Sequence, residues 1–379
     1  MMTGGWTVKT WASAGSMVLA IGLLSGCAGS DKLKVAELVS NPATMGVKPA
    51  WSASIGSVAF PLDIKVQGAN FYVAGTDGVV AAIDGRTGGD VWRTSTKAQL
   101  TAGVGTDGRF AAVVNRSNEL IALDNGREIW RQKLSAVSLT APFIAGERMF
   151  VLSGDRSVTA FDAASGRKLW QQQRAGEALV LQQSGVISSV GDTLVVGLGG
   201  RLAGLNPQTG SIRWETAVAN SRGTNEVERL VDLVAGVSRS GDQVCVRAFQ
   251  SAVACIDGAR GTAVWNKSAI GSTGIGGDSE VVYGAESDGT LVAWRRSDGD
   301  KLWTNELLKH RSLSTPLLVG RAVVVGDGSG YVHFLSRDNG STLNRISTDG
   351  SAVVAGPVLV GQTVVVVTRR GGVFGFRPE

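Results

Sequence analysis

Three observations predict an all-β chain that closes into an eight-bladed β-propeller with four antiparallel strands per blade, a seven-bladed ring being the alternative. The first is glycine, 52 of 379 residues, about twice the usual share. Hydrophobic residues make up 43 % and charged residues 18 %, with 8 prolines and a mean hydropathy of +0.11. Such a chain buries a large core and turns often; it is neither disordered nor collagen-like. The second is a set of tryptophans at 51, 92, 130, 170, 214, 265 and 303, spaced by 41, 38, 40, 44, 51 and 38 residues. The third is that each interval holds several short valine-rich runs separated by turn signals, and four strands in ~40–50 residues is the propeller period.

The repeat has a definite form. Before each tryptophan stand a polar residue, a short gap, a glycine and an apolar residue. The copies are Asp84…Gly88…Val91-Trp92, Asp124-Asn125-Gly126…Ile129-Trp130, Asp162…Gly166…Leu169-Trp170, Asn206…Gly210…Arg213-Trp214, Asp257…Gly261…Val264-Trp265 and Asp298-Gly299…Leu302-Trp303. A degenerate copy, Asp338-Asn339-Gly340…Leu343-Asn344, has asparagine in place of tryptophan. Strand pairs precede each copy, from Phe71–Val73 in the first to Thr363–Val367 in the last. The last copy, 353–376, has three strands and no fourth, whereas Trp51 stands on a fourth strand without the first three. The N-terminal strand is therefore expected to complete the C-terminal blade, which removes the open sheet edges of a linear array. In this reading each tryptophan wedges against the next blade and donates its indole N–H to a backbone carbonyl. The glycine makes the tight turn and the aspartate caps it. Asn344 then marks one seam without a wedge.

The chain divides into three parts. Residues 1–26 read as a targeting segment: Lys9 supplies the positive charge, and 12–24 form an apolar stretch shorter than the ~20 residues of a membrane span. Leu24-Ser25-Gly26-Cys27 matches a bacterial lipobox, with Cys27 as lipid acceptor. Ala28 follows it, and by the sorting rule of enteric bacteria a residue other than aspartate there directs the lipoprotein to the outer membrane. Residues 27–50 read as a lipidated N-terminus and tether, with a reach on the order of 70 Å at ~3.3 Å per residue. Residues 51–379 form the single propeller domain.

Net charge is +5 and no run of five like charges occurs, so nucleic-acid binding is disfavoured. Cys245 and Cys255 lie in what reads as a hairpin. A two-residue turn at Gln250-Ser251 would set Cys245 opposite Ile256, whereas a three-residue turn would set the two cysteines opposite each other. Register thus decides between a cross-strand disulfide and two buried thiols.

The tryptophan repeat resembles the docking motif of quinoprotein-type propellers, shared by the PQQ-dependent dehydrogenases and the BamB family. BamB proteins are propeller lipoproteins of the outer-membrane β-barrel assembly (BAM) machinery. The lipobox, tether and propeller together resemble that family over nearly the whole chain. So do the stretches 307–316, LLKHRSLSTP, and 326–335, GDGSGYVHFL. The resemblance implies a non-catalytic scaffold, lipid-anchored on the periplasmic face of the outer membrane. Its implied partners are the periplasmic domains of BamA and other BAM subunits, with unfolded outer-membrane proteins as further contacts. One family loop, L-x-L-R-G, corresponds to Leu179-Val180-Leu181-Gln182-Gln183, where Gln182 replaces the arginine. A second, E-[IV]-[DE]-R-L-x-D, corresponds to 226–232, which supplies Arg229 and Asp232; a further family aspartate is replaced by Val234.

Spacing supports the same loops independently. The two longest intervals place extra residues in 173–185 and 216–236, each between an outer strand and the next innermost strand. Such connections share one propeller face, so Leu179, Leu181, Gln182, Arg229 and Asp232 are expected to be neighbours forming an apolar centre with a polar rim. An enzyme is the alternative. Quinoprotein dehydrogenases often carry adjacent cysteines and a carboxylate set for calcium, and neither is visible here. No nucleophile elbow, phosphate loop or Cys-x-x-Cys occurs. His310 and His333 show no partner at metal spacing, and 197–200 and 274–277 are glycine-rich without opening a helix. No cofactor and no metal are expected. A periplasmic binding lipoprotein of another pathway remains the other scaffold reading.

Overall fold

The computed structural model describes residues 1, 4–7, 34–174, 181–220 and 231–379. Cys27, most of the leader before it, Leu179 and Arg229 lie outside the described residues. Met1–Lys34 and Val35–Glu379 form separate units, and the second contains the ring. Among its described residues the regular structure is entirely strand: eight four-stranded antiparallel sheets, each a blade. In order the blades span 65–95, 100–133, 143–173, 187–217, 233–268, 275–305, 317–347 and 358–378. The eighth takes its outer strand from the N-terminus: Val47–Ser54 pairs with Gly372–Pro378, setting Trp51 opposite Gly375. This is the closure expected from the incomplete first and last copies.

Burial explains the valine-rich runs. The middle strands of each blade are covered on both sides by the neighbouring blades, so every residue of Phe110–Asn115, Val281–Ala285 and Thr363–Val367 is buried. Strands sandwiched this way lose the apolar–polar alternation of a one-sided sheet. Outer strands such as Asp90–Ser95 keep it, with alternate residues exposed. In every blade the outer strand bulges at the residue before the tryptophan, or before Asn344. A bulge at each of these positions interrupts the outer edges, which are otherwise templates for pairing with another chain.

The tryptophan and the glycine are two halves of one joint. Gly88 has φ +72°, and a Cβ there would sit 2.6 Å from the Trp51 ring. The same clash holds between Gly126 and Trp92, Gly166 and Trp130, Gly210 and Trp170, Gly261 and Trp214, Gly299 and Trp265, and Gly340 and Trp303. Each indole lies flat on the turn glycine of the next blade, so that glycine is required twice: for its left-handed backbone and for its missing side chain. The indole N–H groups of Trp51, Trp130, Trp170, Trp265 and Trp303 donate to the carbonyls of Gly85, Ala163, Pro207, Arg296 and Arg337, at 2.7–3.0 Å. Trp214 docks on Gly261 without such a bond.

The structure corrects the reading in three places. First, the turn position held by Asp84 in blade one is held by Arg295 and Ser336 in blades six and seven. Gly299 N–H and Gly340 N–H donate to their carbonyls just as Gly88 donates to that of Asp84. Asp298 sits three residues further along the same turn and caps Asp300 N–H at 2.9 Å. Second, blade two makes this turn with only Asn125 and Gly126, both at positive φ. Third, the segment read as a tether to residue 50 is docked from residue 35 onward. Ala36 N–H donates to Lys309 O at 3.0 Å, Thr44 N–H donates to Leu343 O at 2.8 Å, and Met45 is 4 % exposed.

The cysteine register is resolved as well. Ala248 pairs with Ala252 across a three-residue turn, so Cys245 faces Cys255, and the two form a disulfide. Both cysteines are fully buried beside Trp265 and Trp294.

Candidate partner-binding face

In each blade the connection from the outer strand to the next inner strand emerges on the same side as the turn between the two middle strands. On this side two loops precede blades four and five, and they are bonded to each other. Leu181 N–H donates to the Asp232 carboxylate at 2.9 Å. Ala235 N–H donates to Ser184 O at 2.8 Å, and Gly185 bridges Val234. The first loop is also held from blade three, where Gly185 N–H donates to Thr140 Oγ1 at 2.8 Å. The second is held through Leu233 N–H to Gly199 O at 3.1 Å, so the glycine pair Gly199-Gly200 serves as a turn that receives the loop. The expectation that these loops adjoin rests on Leu181, Gln182 and Asp232 among the described residues.

Asp232 differs from the rim charge that the sequence suggested. Its side chain is 17 % exposed, and Arg156 approaches it at 3.7 Å from the turn between the middle strands of blade three. The carboxylate thus ties blade three to both loops, while exposed Gln182 projects beyond the tie. Leu181 is half-buried. Arg156 was not singled out from sequence; its turn, Gly154-Asp155-Arg156, looks like the other blade turns. Behind the loops Glu215 accepts from both Arg174 and Arg201. Burial alone would raise its pKa, but the two guanidiniums outweigh it and hold the carboxyl below its usual value. The same side carries exposed apolar residues in neighbouring connections, Val137 at 41 % and Ile270 at 58 %. Apolar side chains exposed beside a structured polar cluster fit the anatomy of an interface.

The inner strands enclose a funnel of about 1010 Å³ whose wall includes Gln183, Ser184 and Ala235. Its glycines permit close approach: a Cβ at Gly274 would strike the backbone of Ala235 and Gly236, and one at Gly276 the carbonyl of Pro316. Ile275–Gly277 is the innermost strand of blade six, so this glycine-rich stretch packs strands. His333 belongs to a buried ion network with Asp327 at 3.0 Å, and Asp327 also takes Arg311 Nε at 2.7 Å. Burial depresses the His333 pKa more than Asp327 raises it, so the imidazole is held neutral. Among the described residues no group of three His, Cys, Asp or Glu side chains is arranged to hold a metal.

An eight-bladed ring with a tryptophan–glycine joint at seven seams defines the chain as a quinoprotein-like propeller. Its solved likenesses span both branches of that class. BamB from Moraxella catarrhalis matches with a TM-score of 0.80 at 24 % identity, over 88 % of this chain and 100 % of that one. The quinohemoprotein alcohol dehydrogenase of Comamonas testosteroni matches at 0.67 and 16 %, over 89 % and 77 %. At these identities the likeness speaks for the fold alone. Sequence separates the branches. Residues 76–305 match the family model described as outer membrane protein assembly factor BamB. Outer membrane protein assembly factor BamB of Burkholderia pseudomallei is 36 % identical over 98 % of this chain and 99 % of its own, and that of Bordetella pertussis 35 % over 98 % of each. The chain belongs to the BamB family, with the assembly factors and not with the dehydrogenases.

Proposed function

We propose that this chain is a non-catalytic scaffold of the outer-membrane β-barrel assembly machinery. It docks on the periplasmic domains of BamA through the face built by the loops around Asp232 and assists folding and insertion of barrel proteins. Cys27 carries the lipid that holds it to the periplasmic face of the outer membrane. Family membership supports the assembly role. The observation that favours this face is the Leu181 N–H to Asp232 bond of 2.9 Å, which makes one surface of the two longest inter-blade loops.

Replacing Leu179, Leu181 and Arg229 together by alanine is expected to cut co-purification with the barrel subunit from solubilised outer membrane. The urea midpoint of the propeller should stay unchanged. Undiminished capture by a folded triple variant would remove the interface from these loops.

A further inference from the structure

The docked N-terminal segment is held in an unusual way. Four side chains of the ring donate to its backbone carbonyls. Arg311 Nη1 donates to Ala36 O at 2.9 Å, Arg345 Nη1 to Val39 O at 3.1 Å, Arg321 Nη2 to Thr44 O at 3.4 Å and Asn344 Nδ2 to Met45 O at 2.7 Å. The acceptors are main chain, so these bonds read an extended backbone rather than a particular sequence, as in strand-addition grooves. Two side chains set the register. Leu38 packs against the apolar cluster that contains Leu308 and Leu313, and Met45 enters the cluster that contains Phe334 and Phe376. The segment therefore spans from the seam of blades six and seven to that of blades seven and eight. It runs antiparallel to the outer strand Thr342–Ser347, since Thr44 meets Leu343 while Asn41 meets Arg345.

Asn344 stands where the other seven blades carry the docking tryptophan. Its amide instead donates to Met45 O and accepts from Asn41 Nδ2 at 3.0 Å. Arg311 is preset for its part by the buried Asp327 carboxylate, 2.7 Å away. At its other end the segment meets Lys309, in the connection between blades six and seven. That connection lies on the side of the ring that carries the loops around Asp232.

We propose that the outer wall of blade seven is a seat for an extended peptide, and that its resident occupant is the chain's own segment 35–46. The seat replaces the missing tryptophan joint and holds Ala36 at the loop-bearing side of the ring.

Hydrogen exchange on the full chain tests the seat independently of lipid or partner. The amides of Ala36 and Thr44 should exchange at least about tenfold more slowly than in a free peptide, and unprotected exchange there overturns the proposal. A full-length variant with Leu38→Asp and Asn41→Ala, both on the segment and neither in the seat, should lose this protection while Val47–Ser54 and Gly372–Pro378 keep theirs. That detached variant should then capture a fluorescent synthetic peptide of residues 34–47 about tenfold more tightly than the parent, whose seat is filled. The same peptide carrying Leu38→Asp should not bind. Equal capture by parent and variant, or none by the variant, overturns it.

Discussion

Gly166→Ala is the perturbation that isolates the joint between blades. Gly166 has φ +72°, and a Cβ there would lie 2.7 Å from Cδ2 of Trp130. Two costs follow. The left-handed backbone with a side chain costs about 1–2 kcal/mol. The indole must also lift from its floor, which weakens its bond to Ala163 O, 2.9 Å long, worth about 1 kcal/mol, and loses packing worth about another 1 kcal/mol. The sum is about 3–4 kcal/mol. Gly146 in the same blade is the matched control: its φ is +55°, and nothing lies within 4 Å of a Cβ placed there. Gly146→Ala should cost only the backbone part, about 1–2 kcal/mol. Equilibrium urea unfolding reads both through the midpoint at constant slope. In a Trp130→Ala background the two glycine substitutions should cost the same, because the indole that distinguishes them is gone. Equal costs in the parent background, within about 0.5 kcal/mol, would refute the double role assigned to the repeat glycine.

His333 gives a pH prediction. Its pKa is lowered in the folded ring by burial, so the unfolded chain binds the proton first as pH falls below the ordinary value of 6.5. Stability should be full above neutrality and decline between pH 7 and the depressed folded value. Urea midpoints at pH 7.5 and 5.5 should differ in the parent and converge in His333→Gln; an unchanged difference rejects the assignment. The cysteines lie 10 residues apart, and closing a loop of that size stabilises by about 2–3 kcal/mol. Replacing both by serine should lower stability by about that amount and abolish the effect of a reductant. Parent protein insensitive to reduction under denaturing conditions would contradict the bridge. Asp232→Asn keeps the shape but weakens the ties to Arg156 and to Leu181 N–H, so it should increase amide exchange at Leu181 while leaving Val364–Phe376 protected. No change at Leu181 would deny Asp232 its role as a staple.

The blade count and the closure by the N-terminal strand were legible because the tryptophan joint must recur at each seam with nearly constant spacing. At the exposed end of the joint the expected side-chain cap holds in blades one, three, four and five, where Asp84, Asp162, Asn206 and Asp257 accept from turn N–H groups, but the position shifts in blades six and seven because its chemistry is degenerate. The turn closes on a backbone carbonyl, so Arg295 and Ser336 can stand where Asp84 stands, while Asp298 caps the later part of the same turn. The docked segment 35–46 was hidden for a related reason. Its carbonyls bond to Arg311, Arg321, Asn344 and Arg345, 275 to 306 residues away, and a backbone acceptor leaves no mark in the sequence that carries it. Loop length pointed to the Asp232 face. The partner that makes Asp232 structural, Arg156, comes from a turn that looks like any other in the repeat.

The central claim is that the loop-bearing side of the ring meets the barrel subunit. A photo-crosslinking residue at exposed Gln182, compared in cells with one at exposed Asn339 in a turn on the opposite side, tests it directly. The account predicts adducts with the barrel subunit from position 182 and none from 339. Adducts from 339 alone would place the interface on the other side and contradict it.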